Sequence, residues 1–203
     1  RAKDGRKVQF HLTEDGRDVK IVLENYGMRP VEVLADLKEK GKIQSLDLLL
    51  LSDCVWTSRR EKELIMEHGM SVVFNGRMNE RVKAGTAAVR EYMELGVPVY
   101  IGTDGEASND DLSIDNEIKW QAEKHKFSEE EVKNLRRPFE MAGVSVGQLE
   151  AGHAADIKVC KDGKPEVLFV GGKAVMKDGK LLANDVISRS EAFIKDLWQR
   201  RAG

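Results

Sequence analysis

Between Lys7 and Ile101 four short apolar runs recur, each followed by a stretch of helical character. That alternation constrains the fold more than any other feature of the chain. "KVQFHL" (Lys7–Leu12) reads as a strand, and helical material follows at Arg17–Tyr26 and Pro30–Lys40. Pro30 suits a first helical position, and Gly41 suits a helix end. "LDLLLLS" (Leu46–Ser52) is almost continuously apolar, as expected of a parallel strand buried on both faces. Ser58-x-x-Glu61 then forms a capping box for a helix that runs to Gly69. "SVVFN" (Ser71–Asn75) is the third strand, 86–95 the next helix, and "PVYI" (Pro98–Ile101) the fourth strand. Helices are expected at Ile114–Lys126 and Ser128–Met141. Strands that alternate with helices predict a parallel sheet with helices packed against it.

After Gly143 the pattern changes. "AADIKVC", "KPEVLFVGG", "KAVMKDG" and "KLL" are short strands separated by Asp-Gly and Gly-Gly turns, the signature of a small antiparallel unit. A last helix is expected at Ser188–Arg200. Four βα units could close a small open sheet or form half of an eight-unit barrel, which takes roughly 250 residues. Composition does not choose between them.

Composition does exclude some classes. The formal net charge is −2 over 203 residues, so no basic surface points to nucleic acid or to a membrane. No apolar run is longer than Leu48–Leu51, which is far too short to span a bilayer. Cys54 and Cys160 have no metal or redox spacing, no signal-peptide pattern opens the chain, and the expected location is the cytoplasm. The chain opens on Arg1 among several charged residues, which suggests a processed product or a fragment.

All strand ends of a parallel array open on one face, where ligands bind. Each expected strand here ends in a group capable of chemistry. His11 and Glu14 follow the first. They read as a metal-binding imidazole with a proton-shuttling carboxylate, or as a half-buried strand histidine beside a helix-capping acid. Asp53 ends the second, as a site residue or an ordinary turn aspartate. Asn75, Arg77 and Asn79 surround Gly76 after the third, as substrate contacts or plain turn chemistry. Asp104 ends the fourth, in "IGTDGEASN", as a ligand or base or as part of a simple Asp-Gly turn. His68, His125 and His153 read as surface residues.

Several segments resemble the amidohydrolase superfamily, in its chlorohydrolase and aminohydrolase branch, over nearly the whole chain. "FHLTED" resembles that family's fifth-strand motif, and "SDCVWTS" its sixth. "VVFNGRMNERVKAGTAAVREYMELGVPVYIGTDGEASN" resembles the stretch through its seventh and eighth strands, with Gly-Thr-Asp-Gly-x-x-Ser-Asn the most specific piece. "VGQLEAGHAADIKV" and "VLFVGGKAVMKDGKLL" resemble its closing β unit. The resemblance implies an α/β fold: the C-terminal half of a (β/α)8 barrel over 1–142, a small β domain over 143–187 and a C-terminal helix over 188–203. It implies hydrolytic deamination or dechlorination of an N-heterocycle with one divalent metal, zinc or iron. His11 and Asp104 would be metal ligands. Asp104 would also accept the proton of the attacking water, and Glu14 would pass a proton to the ring nitrogen and the leaving group.

The departures are equally specific. No His-x-His pair, which supplies two of the family's ligands, occurs anywhere in the sequence. Asp53 stands at the place of the sixth-strand histidine. Phe74, Gly76 and Met78 stand where the seventh-strand motif has His, Pro and Ser. Catalytic zinc takes three protein ligands plus water, so this chain alone is expected to hold no tight metal and to be inactive. It is expected to pair with another copy or with an N-terminal half, because its two sheet edges would be open. The alternatives are a non-catalytic half-barrel for binding or assembly, and one half of a split enzyme. A nucleotide-binding four-strand domain would need a Gly-rich first loop, which is absent.

Overall fold

A computed structural model describes residues 7–136, 139–141, 144–147 and 149–182. The chain divides into two compact units, Arg1–Arg137 and Pro138–Gly203.

The first unit is built on a parallel sheet in the order β1-β2-β3-β4, where β1 is Val8–Leu12, β2 Leu49–Asp53, β3 Ser71–Phe74 and β4 Val99–Ile101. Spatial order follows chain order, as expected of successive right-handed βα crossovers. The helices between them are α1 (Gly16–Tyr26), α2 (Pro30–Glu39), α3 (Arg59–Glu67), α4 (Gly76–Arg81) and α5 (Val89–Glu94), with α6 (Ile114–His125) and α7 (Glu129–Leu135) after β4.

β2 is buried at every position, which is why its sequence shows no alternation. Leu49 and Leu51 join Val72, Phe74 and Val99 in a core completed by Val31, Ile65 and Tyr92 from the helices. Phe74 and Tyr92 meet edge-on with ring centroids 5.2 Å apart, and the Tyr92 hydroxyl donates to the Cys54 carbonyl. Burial pushes the Cys54 thiol up to about 12, with the Asp53 charge adding to the effect. A thiol held there is a packing group rather than a nucleophile.

Two expectations of the sequence need correction. The helix expected over 128–141 stops at Leu135, and Phe139–Met141 (β5) instead pairs antiparallel with Val144–Val146 (β6). Pro138 explains the stop, since the residue before a proline is disfavoured in the helical region. α4 was not expected. It is six residues long, begins at a glycine and has no side-chain cap.

Gly76 opens α4 in a tight place. A Cβ there would lie 2.3 Å from Gln121 Nε2 and 2.5 Å from the Trp120 ring. Gln121 is buried, so it has little room to yield. Gly76→Ala is expected to destabilise the first unit by about 1–3 kcal/mol, read as a lower midpoint in denaturant titration.

His125, the last residue of α6, stacks on Phe127 with its Nε2 buried and unpaired. Burial, with Arg90 and Lys124 nearby, holds its pKa below the ordinary 6.5. Below 6.5 the unfolded chain takes up a proton that the folded chain resists, so stability falls as pH falls through that range. His125→Phe keeps the stack, and thermal melts against pH should then lose that acid-side decline.

In the second unit β7 (Ile157–Lys161), β8 (Lys164–Val170), β9 (Lys173–Lys177) and β10 (Lys180–Leu181) form an antiparallel meander. Its turns, Asp162-Gly163, Gly171-Gly172 and Asp178-Gly179, all have positive φ at both residues, the geometry that matches strand twist in two-residue hairpins. The helix expected at Ser188–Arg200 lies outside the described residues. No helix among the described residues is long and apolar enough to cross a membrane.

Candidate active site

The register aligns His11 with Ser52 and Leu12 with Asp53, so the first two strand ends lie side by side. Asp53 and Cys54 then take two successive left-handed conformations, φ 74° and 47°. Such positions cost on the order of 1–3 kcal/mol each and persist only where surrounding contacts impose them. Here the contacts are visible. The Cys54 and Trp56 amides donate to the Leu12 and Thr13 carbonyls, and Thr13 and Thr57 share a buried hydroxyl hydrogen bond.

The turn delivers the fully buried Asp53 carboxylate against His11, with Oδ2 2.6 Å from Nδ1. Its other oxygen, Oδ1, accepts from the side-chain amides of Asn75 at 2.9 Å and Asn79 at 3.1 Å. Glu14 stands 3.8 Å from the same imidazole nitrogen. His11, Glu14 and Asp53 each offer a ligand atom within 4.8 Å of the others.

Burial pulls the His11 pKa down, but the hydrogen bond and charge of Asp53, with Asp104 and Glu14, outweigh it, so the net shift is upward. Burial also raises Glu14, and the Asp53 charge adds to it against the pull of His11. A carboxyl moved up in this way is better matched to proton transfer near neutral pH.

Asp104 follows β4 in a left-handed conformation, φ 56°, and accepts a hydrogen bond from Ser108. It lines the same cleft as His11 and Glu14, about 740 Å³ in volume, with Trp56, Met78 and Ser108 on its walls. The strand ends therefore bring His11, Asp53 and Asp104 to one end of the sheet, with Glu14 beside them.

Asn75, Arg77 and Asn79, read from sequence as substrate contacts or turn chemistry, do not line that cleft. Asn75 and Asn79 are buried, and their amides are committed to Asp53. Arg77 turns to Asp111 in a two-point contact at 3.0 and 3.1 Å. Its backbone N–H donates to the buried Glu117. α4 thus fastens the loop that carries Asp104. His68, His125 and His153, read from sequence as surface residues, are half-buried.

Trp56 and Ser108 escaped the sequence reading. The Trp56 indole N–H donates to the Ala84 carbonyl, and its ring packs over Gly16. Ser108 lies within the Gly-Thr-Asp-Gly-x-x-Ser-Asn segment, which was the available signal.

Residues 1–181 match the amidohydrolase family, and the chain belongs to it. It is 32% identical over 213 residues to a 5'-deoxyadenosine deaminase of Methanopyrus kandleri, covering 89% of this chain and 48% of that protein. It is 29% identical over 172 residues to a 5-methylthioadenosine/S-adenosylhomocysteine deaminase of Aquifex aeolicus, covering 80% of this chain and 39% of that protein. The chain thus spans about half the length, or less, of these curated relatives.

Among solved structures it resembles a zinc-bound adenosine deaminase from Xanthomonas campestris, with a TM-score of 0.73 and 22% identity over 98% of this chain and 52% of the other. It also resembles a zinc complex of an atrazine chlorohydrolase from Arthrobacter aurescens, with a TM-score of 0.71 and 23% identity over 97% and 49%. These neighbours are amidohydrolase barrels, and the chain covers about half of each.

Proposed function

We propose that the chain is part of a metal-dependent aminohydrolase that hydrolyses a carbon–nitrogen bond on an N-heterocycle, with an adenine nucleoside as the substrate class. The observation that carries this is the convergence of His11, Glu14 and Asp104 on one cleft at the strand ends. The names of the relatives that match over most of this chain support the nucleoside.

The donors suit a divalent ion. His11 is half-exposed with Nδ1 already engaged, and the Asp104 carboxylate is open to the same cleft. Zinc accepts such imidazole nitrogen and carboxylate oxygen donors. Asp53 is poorly placed as a ligand, since it is fully buried and both its oxygens already accept hydrogen bonds. When bound, the ion makes a water acidic enough to deprotonate near neutral pH.

The chain's own groups do the rest. Asp104 would help hold the ion and accept a proton from the attacking water. Glu14 would give its proton to the ring nitrogen and, recharged by the proton that Asp104 accepted, would protonate the departing amine. Asn75 and Asn79 hold Asp53, while Arg77 holds the loop behind Asp104. Trp56 gives the heterocycle an apolar wall.

His11 and Asp104 make fewer than the three protein ligands of a catalytic zinc site. The reading therefore has this chain inactive alone, with the remaining ligands supplied by a further half-barrel on the same or another chain. β1 and β4 are the edges of the sheet, and exposed Ile21, Leu23 and Tyr26 on α1 add apolar surface beside β1. Such edges and patches favour pairing. Free Cys54 and Cys160 fit a reducing cytoplasm.

The test is ammonia release from 5'-deoxyadenosine with zinc or iron. It compares the chain alone with the chain completed by the part of the Methanopyrus kandleri relative that it does not cover. Release only from the completed protein is expected. A completed protein that holds metal and releases no ammonia would sink the reading.

A further inference from the structure

We infer that Asp53 is a positioning residue for His11. It holds the imidazole as the Nδ1–H tautomer and leaves Nε2 as the lone-pair nitrogen for a divalent ion. The ion's place in catalysis rests on the function proposed above, whereas the tautomer does not.

The argument begins with donor counting. An ionised carboxylate only accepts. Asp53 Oδ2 lies 2.6 Å from His11 Nδ1, so in the neutral ring the proton sits on Nδ1. Oδ1 is occupied independently by the amides of Asn75 and Asn79. Three donors, His11 at the end of β1, Asn75 just after β3 and Asn79 in α4, therefore converge on one fully buried side chain. The left-handed turn at Asp53 and Cys54 aims it there. A carboxylate on the far nitrogen of a ligating histidine commonly fixes ring orientation and raises its basicity.

The two asparagines make the inference sharp. In Asp53→Asn the introduced amide has one carbonyl and one NH2. Asn75 and Asn79 both present N–H to the position of Oδ1, so the carbonyl must face them. The NH2 then faces His11, and two N–H groups cannot share that contact. Nδ1 must accept, the proton moves to Nε2, and the lone pair offered to a metal is lost. A residue that merely filled space would tolerate this near-isosteric change without altering the tautomer.

The experiment is nitrogen-15 NMR of the histidine rings in the metal-free chain, at a pH where His11 is neutral, followed by zinc titration read on the same resonance. The wild type is expected to show Nδ1–H, with Nε2 unprotonated. Asp53→Asn is expected to show Nε2–H and to bind zinc about 10- to 100-fold more weakly.

Nε2–H in the wild type overturns the inference, and so does a variant with unchanged tautomer or unchanged zinc affinity. Should the variant fail to fold, the wild-type spectrum alone still decides. Nδ1–H in a protein that never releases ammonia would defeat the proposed function and leave this inference standing.

Discussion

Glu14→Gln is expected to lower ammonia release by the completed protein about 10²- to 10⁴-fold, the usual contribution of a positioned general acid–base group. Glutamine keeps the size of the side chain and its place in the cleft, but it cannot pass a proton to the ring nitrogen and the amine. Glu14 stands 3.8 Å from His11 Nδ1 and lines the cleft with Asp104. Its pKa is raised by burial first and by the Asp53 charge second. The variant should fold and hold metal as the wild type does, because among the described residues no hydrogen bond of the Glu14 side chain holds the turn. Steady-state rates at saturating substrate check this. A rate within a few-fold of the wild type would assign the proton transfer elsewhere.

Glu61→Ala is expected to be the most damaging single change to the fold, costing about 3–5 kcal/mol. Glu61 is fully buried. One oxygen accepts from Arg29 Nε at 2.5 Å and from the Ser58 amide and hydroxyl at 2.9 Å each. The other accepts from the Val31 amide at 3.1 Å. One side chain therefore closes the N-terminus of α3 and also ties down the start of α2. Alanine leaves two amides without acceptors and the Arg29 guanidinium without its carboxylate, with only the Trp56 carbonyl still accepting from it. Arg29 is 28% exposed, so the lower part of that range is expected. The melting temperature of the first unit should fall by roughly 10 °C, and Glu61→Gln should fall less.

Glu61 also shows what sequence can and cannot convey. Ser58-x-x-Glu61 is legible as a capping box because its partners are three residues apart, and the box is present. The contacts to Arg29 and Val31 depend on how α2 packs on α3, and no local pattern records that. The strands were legible for the same local reason. The unbroken apolar run Leu48–Leu51 suits burial on both faces, and Asp-Gly and Gly-Gly turns favour hairpins.

At the site, the ends of strands could be read as a shared face. The partner of His11 could not. The Asp53 contact exists because the register sets Leu12 against Asp53 and because Asp53 adopts positive φ, which aspartate tolerates better than most residues. Asn75 and Asn79 could be read from sequence either as substrate contacts or as turn chemistry. One unrecognised turn and a half of helix, α4, instead directs their amides to Asp53 and turns Arg77 to Asp111.

The central claim is that these strand ends carry part of a metal site, with His11 and Asp104 as its ligands. The most direct measurement is an anomalous difference map at the zinc absorption edge, from a crystal of the completed protein soaked in zinc. The account predicts a peak in the cleft between the His11 imidazole and the Asp104 carboxylate, with Asp53 still on His11 Nδ1. A crystal with no peak in that cleft, or with zinc bound by Asp53 in place of His11, would contradict it.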